Sequence, residues 1–299
     1  MNNRTPFKKP PTTPAQQVAL LCSRGMIVSD IAQAESFLTK VNYYRFCGYA
    51  LHFEVMQNGI RTHQYKPDVR FEDVCMLYEF DSELRTILFS SIEHIEVAFR
   101  TAICLEMALA TKDSHWYLQP GLFNTSFNHQ QLLDDAQSEF DRSREVFILS
   151  YKQKYCAPAL PPAWMLTEIL PLGKWSKIYS GLKFRDNQKG IARQLNTSYF
   201  HLQSWMHGIS FLRNLCAHHS RIWNKTFPIL VNLTERHKQS VLYHDRLAGF
   251  CTVMADLLTT LGRKGEFKRQ MGDLFKKYPG VPIAKLGFKE QWDEGATWK

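Results

Sequence analysis

Apolar residues recur at helical spacing over most of this chain, and the breaks in that rhythm fall where proline, glycine and capping residues cluster. Thr13-Pro14-Ala15-Gln16 has the composition of a capping box with proline at the first helical position, opening a helix that Gly25 ends. Ser29 and Asp30 signal a second start, with Ile31, Ala34, Phe37, Leu38 and Val41 as its apolar stripe. Asn58-Gly59 marks a turn, and strand-like alternation is confined to one short hairpin near 52–66. From Phe71 to Leu109 there is neither proline nor glycine, which predicts one long helix or two in tandem, with Asp81-Ser82 the place for a break. Residues 112–127 read as a surface loop. Helical patterns follow near 128–142, 145–154, 163–182 (interrupted by Pro171), 186–195, 199–224, 241–261 and 266–277, and the cluster from Pro158 to Pro162 separates two of them. The fold class is mainly α.

Composition narrows the picture. The 299 residues include 37 Lys and Arg against 28 Asp and Glu, a formal charge of +9, which favours a polyanionic partner such as nucleic acid. Seven cysteines stand singly, at 22, 47, 75, 104, 156, 216 and 251, with no C-x-x-C pair, as suits a reducing compartment. MNNRTPFKKPPTTP lacks the apolar core of a signal peptide, its first ten residues read as a basic arm, and no run approaches the length of a membrane span. A cytoplasmic protein is therefore expected. There is no G-x-S-x-G, no Walker-type loop and no H-E-x-x-H, so hydrolase, nucleotide and zinc readings lack their motifs, and neither a metal nor a cofactor is expected.

The densest chemistry lies in the helix predicted over 199–224. At about 100° per residue, Leu212, Leu215, Cys216, His219, Ile222 and Trp223 share one arc, and Arg213, Asn214, Ala217, His218, Ser220 and Arg221 the other. His218 then faces solvent about one turn from Asn214 and Arg221. His219 falls among packing residues, so His219→Ala is expected to cost more stability than His218→Ala. Arg213 precedes His218 by about 140° of helix rotation, so the two converge only through the long arginine side chain or across a subunit interface. Such a pair suits phosphoryl chemistry, the guanidinium holding phosphate oxygens and the imidazole moving a proton.

Arg213-Asn214-Leu215-Cys216-Ala217-His218 matches the R-N-x-x-x-H motif of HEPN-superfamily ribonucleases, and RNLCAHHSRIWN resembles the signature of abortive-infection (Abi) proteins of the AbiD/AbiF type. LTKVNYYRFCGYALHF (38–53), LYEFDSELRTILFSSIEHIEVAFRT (77–101) and PPAWMLTEILPLGKWSKIY (161–179) resemble Abi-family blocks in the same order. The resemblance implies a HEPN-like helical bundle over 67–262, an N-terminal helical extension with the basic arm (1–66), and a C-terminal helix and tail (263–299). It implies a metal-independent endoribonuclease with Arg213, Asn214 and His218 as catalytic residues. One motif per chain implies a homodimer that builds a composite site. Such a toxin in antiphage defence must be restrained, and a small structured RNA is a plausible antitoxin.

Supporting positions carry two readings each. Glu93, Glu96 and Arg100, at i, i+3 and i+7, are either an intrahelical ion-pair stripe or a set that holds Arg213. Tyr44 and Arg45, beside Asn42, Tyr43 and Tyr49, are either core or a stacking surface for unpaired bases. His219 and Arg221 complete the RNA-contacting candidates. The rival functions are a protein that grips structured RNA without cutting it and a helical scaffold for a protein partner.

Overall fold

A computed structural model describes Pro6 and residues 8–299. Most of the expected basic arm lies outside those residues. Among the described residues the regular structure is thirteen α-helices, a two-stranded sheet and short 3-10 turns, a mainly α fold. By backbone contacts the chain divides into two units, Met1–Glu83 and Leu84–Lys299.

The first unit holds α1 (Pro14–Ser23), α2 (Ile31–Lys40), α3 (Tyr43–Ala50), the hairpin β1 (Glu54–Gln57) and β2 (Ile60–Tyr65), and the start of α4 (Phe71–Thr111). Its caps are those the sequence signals. Thr13 and Gln16 exchange the two hydrogen bonds of a capping box, and Asp30 accepts from Gln33 N at 2.9 Å. Asn58 and Gly59 take φ of 50° and 76°, the left-handed pair that a two-residue hairpin turn requires. Arg61 closes the hairpin with a forked pair to Glu54 at 2.7 and 2.8 Å. Phe37, Phe46 and Phe71 form the aromatic centre, the last two stacked at 4.6 Å. Of the α2 stripe, Ala34 and Leu38 are buried and Ile31 is exposed.

α4 is a single helix of 41 residues with no break at Asp81-Ser82. Asp81 is held by the Tyr49 hydroxyl at 2.7 Å, and a carboxylate so engaged does not compete for backbone donors.

The second unit continues α4 and adds α5 (His129–Arg142), α6 (Val146–Lys154), α7 (Ala163–Ile169), α8 (Leu172–Gly181), α9 (Arg185–Gln194), α10 (Tyr199–Ala217), α11 (Glu235–Lys238), α12 (Leu247–Thr260) and α13 (Lys264–Lys277). Pro171 separates α7 from α8. The segment 112–127 is not the open loop expected of it, because Trp116, Tyr117 and Phe123 are buried and two 3-10 turns fold it back.

α10 lies against α8, α9 and α12. Small residues make this enclosure possible. A Cβ on Gly173 would stand 3.1 Å from Ser210 Oγ, and one on Gly208 would stand 2.4 Å from Val231 Cγ1 and 3.0 Å from the Phe250 ring. Val231 belongs to the stretch that follows α10 and returns along it, where Trp205 Nε1 donates to Asn232 O at 2.7 Å and Asn232 N donates to Ser204 Oγ at 2.9 Å. Buried His237 then fixes the return to α12. Its Nδ1 accepts from Thr234 N at 3.1 Å, so Nε2 carries the proton and donates to Asp256 at 2.6 Å. The tail closes over α13 through Phe275, Phe288, Trp292 and Trp298, the two indoles meeting edge-on at 4.6 Å. No helix of the described residues is long and apolar enough to cross a membrane.

Gly208→Ala should destabilise the chain, because overpacking of about 1–3 kcal/mol exceeds the ~1 kcal/mol of helix propensity that alanine adds. A lower denaturant midpoint followed by tryptophan fluorescence is the expected result. Asp256 supplies a pH test. Burial pushes its carboxyl up, but the hydrogen bond from His237, with the hydrogen bond and charge of Arg236, holds it below the usual range. Its contribution is therefore present above the unfolded carboxylate range and lost as pH falls through the folded value. Asp256→Asn should flatten the acid limb of a melting-temperature profile.

Candidate active site

The helix carrying the arginine–histidine motif stops seven residues before the expected end, at Ala217. His219 N donates to Cys216 O at 3.0 Å and Ser220 N to Leu215 O at 2.8 Å, the crossed pair of bonds that closes a helix C-terminus. His219 takes φ of 53°. That left-handed position is most often filled by glycine, and histidine is among the residues that tolerate it. Without a glycine or proline in RNLCAHHSRIWN, the apolar spacing of Ile222 and Trp223 extends the helical reading past its true end.

This corrects the assignment of the second imidazole. His219 is exposed, not packed, so the burial behind the expected stability ranking of His219→Ala over His218→Ala is absent. Ile222 and Trp223 are buried from irregular chain, and half-buried Arg221 also lies beyond the helix. His218 is the C-cap of α10, exposed, with its N–H on Asn214 O at 3.0 Å. Asn214 is exposed on the last turn.

Arg213 stands at a cleft of about 450 Å³ lined by Phe89, Glu93, Glu96, Arg100, Glu168 and Pro171, among others. Its side chain is 33% exposed. Nε lies 3.6 Å from Glu96 Oε2, too long for a hydrogen bond, and is buried without a hydrogen-bond partner. The guanidinium carbon sits 5.6 Å from the Phe89 ring centre, within cation–π range. Glu96 is itself fixed from the other side by a hydrogen-bonded ion pair with Arg100, one turn along α4, and Arg100 Nη1 donates to Thr167 O at 2.9 Å. A chain of contacts thus runs from the α7 backbone through Arg100 and Glu96 to Arg213. Burial pulls the Arg100 guanidinium down to about 10; Glu168 opposes that pull and the like charge of Arg213 adds to it. Arg100 remains cationic at neutral pH.

The expected set is therefore partly assembled. Arg213, Glu93, Glu96 and Arg100 share the cleft, with Glu93 exposed at its rim, whereas His218 is not among the lining residues. Five residues of helix separate Arg213 from His218 by about 7.5 Å along the axis and about 140° around it. Tyr44 and Arg45 lie on α3 in the first unit. Tyr44 is 87% exposed, and Arg45 rests 5.6 Å from the Tyr78 ring centre.

Phe89 and Glu168 line the cleft and Thr167 holds Arg100 in it, and none of the three is among the residues the sequence singles out. Thr167 acts through its backbone carbonyl, which no residue pattern announces. Glu168 and Phe89 lie inside the Abi-like blocks 161–179 and 77–101, the one sequence signal they carry. Among the described residues no group of three or more His, Cys, Asp or Glu side chains is placed to share a metal ion.

Glu96→Ala would strand two guanidinium groups, one of them largely buried. Breaking a buried pair costs about 3–5 kcal/mol, and the partial exposure of Arg213 places the expected loss near the low end. Glu96→Gln, which keeps an acceptor, should lose less, and urea denaturation of both variants measures the difference.

A family model described as Abi-like protein matches residues 36–224. That span exceeds half of the chain and takes in the cleft together with all of α10 and the turn that ends it. No curated protein and no solved structure matches the chain. On the extent of that match, which runs from Ser36 within α2 through Asn224, the chain belongs to the Abi-like protein family.

Proposed function

We propose that this protein is an abortive-infection effector that cleaves RNA without a metal, through a HEPN-type site of the AbiD/AbiF kind completed in a homodimer. The observation that carries the reading is the holding of Arg213. Glu96 compensates the guanidinium on its Nε edge, Phe89 covers it, and one third of the side chain stays open to solvent. A cation so fixed can receive phosphate oxygens in a forked geometry with little further ordering.

In the proposed reaction the ribose 2′-oxygen attacks the adjacent phosphorus as His218 accepts the hydroxyl proton. The phosphorus–5′-oxygen bond breaks, and the departing oxygen takes a proton from a second imidazole. Arg213 stabilises the charge that builds on the phosphorane oxygens. Asn214 orients groups beside it. Two proton transfers need two imidazoles. A two-fold axis near the end of α10 would bring the second copy's His218 to the Arg213 of the first, which also removes the 140° separation within one helix. Family membership supports the abortive-infection setting, and such an effector requires a restraining antitoxin, for which a small structured RNA suits the +9 charge.

The absence of His218 from the cleft lining within one chain favours a second reading, a protein that grips structured RNA without cutting it. One experiment separates the two. Purified wild type and His218→Ala, freed of co-purifying RNA, are incubated with mixed RNA in EDTA and the fragment ends are analysed. The nuclease reading expects fragments ending in 2′,3′-cyclic phosphate from wild type and a loss of about 10²–10⁴-fold in His218→Ala. Intact RNA retained by both proteins would establish the binding reading instead. Arg213→Lys should not restore cleavage, since a point charge lacks the fork; near-full activity in that variant would overturn the phosphate-clamp role.

A further inference from the structure

Far from the motif, α9 carries Arg185, Lys189 and Arg193 at i, i+4 and i+8, all exposed. Successive cations stand about 6 Å apart along one face at 1.5 Å per residue, close to the separation of successive phosphates in an RNA strand. Like charges at this spacing destabilise a helix. Of the three, only Lys189 has a carboxylate within ion-pair distance among the described residues, Asp186 at 3.1 Å.

Aromatic rings border this ladder. A cleft of about 480 Å³ is lined by Asp186, Lys189, Arg193, Thr197, Ser198 and Tyr199. Phe184, which caps α9, is 48% exposed and Phe200, in the first turn of α10, is 60% exposed, large apolar faces left in water. Lys183 Nζ lies 5.5 Å from the Phe184 ring centre, and Arg185 both approaches the Tyr199 ring at 5.6 Å and donates to its hydroxyl at 2.9 Å. Tyr199 is thereby oriented, while Phe200, the next residue, projects into solvent.

We propose that α9 and the first turn of α10 form a docking track for single-stranded RNA, with phosphates on Arg185, Lys189 and Arg193 and bases on Phe184, Tyr199 and Phe200. The proposal rests on RNA being the protein's ligand, as in the function proposed above, and adds where the strand runs. Exposed rings select unpaired RNA, because bases in a duplex have no free faces to stack. The track shares a helix with the candidate active site. Tyr199 and Arg213 are fourteen residues apart on α10, about 21 Å along its axis, so a strand of several nucleotides can hold both.

The test is the affinity of the full chain for an unstructured, fluorescently labelled RNA oligonucleotide as a function of salt, in a His218→Ala background that prevents cleavage. Adding Lys189→Ala and Arg193→Ala should weaken binding at least tenfold and flatten the log affinity–log salt slope by about 1.4, at ~0.7 per phosphate contact on a single strand. Phe200→Ala should weaken binding and leave the slope unchanged. All three residues are exposed, and circular dichroism confirms that the variants fold. If the parent binds RNA and the double variant keeps its affinity and slope, the track is wrong and the function proposed above stands. If the parent binds no RNA at low salt, both fail. Competition by a glutamate-rich peptide as effective as the RNA would assign the surface to an acidic protein and overturn the RNA track.

Discussion

A helix packed against three others must be small wherever its neighbours come closest, and α10 meets that constraint through Gly208 and the pairing of Ser210 with Gly173. The enclosure sets the rotation of α10, and the rotation decides that Arg213 faces α4 while Asn214 faces water. Everything at the cleft follows from this. Glu96 reaches Arg213 only because α4 presents its carboxylate at that level, and Glu96 keeps its place because Arg100 is tied to the Thr167 carbonyl. The return of the chain along α10, through Val231, Asn232 and His237, then seals the side of the helix that α8 and α9 leave open.

Most helices were legible because their signals are local. The Thr13–Gln16 box, the Asp30 cap, the Asn58-Gly59 turn and the Pro171 interruption each rest on residues within one turn of one another, and all stand where the sequence places them. The failures share a different cause. Trp116 and Tyr117 lie in a stretch with the composition of a surface loop, yet both are buried, and the Tyr117 hydroxyl donates to Pro161 O, forty-four residues away. The end of α10 depends on a backbone conformation adopted by a histidine, and side-chain periodicity is blind to φ. At the cleft, the i, i+3, i+7 spacing of Glu93, Glu96 and Arg100 marks one helix face, but only tertiary packing brings Arg213 to it.

Charge is distributed unevenly between the cleft and α9. The cleft is lined by Arg100, Arg142 and Arg213 and by Glu93, Glu96 and Glu168, so it is electrically balanced. A balanced site with one anchored guanidinium, a third of it open to solvent, suits the recognition of a single phosphate better than long-range attraction of a polyanion. The attraction can instead come from elements such as α9, whose cations are largely uncompensated. Separating capture from chemistry in this way lets the cleft keep a tight internal network while exposed residues supply the salt-dependent part of binding.

The turn after α10 gives two adjacent histidines unlike obligations. Position 219 sits at φ of 53°, where the permissible alphabet is short and glycine or asparagine would be the natural synonyms. Position 218, at φ of −91°, accepts almost any side chain without backbone penalty. The same letter written twice therefore belongs to two vocabularies, one of shape and one of chemistry, and the helix stop offers no reason of its own for an imidazole at 218.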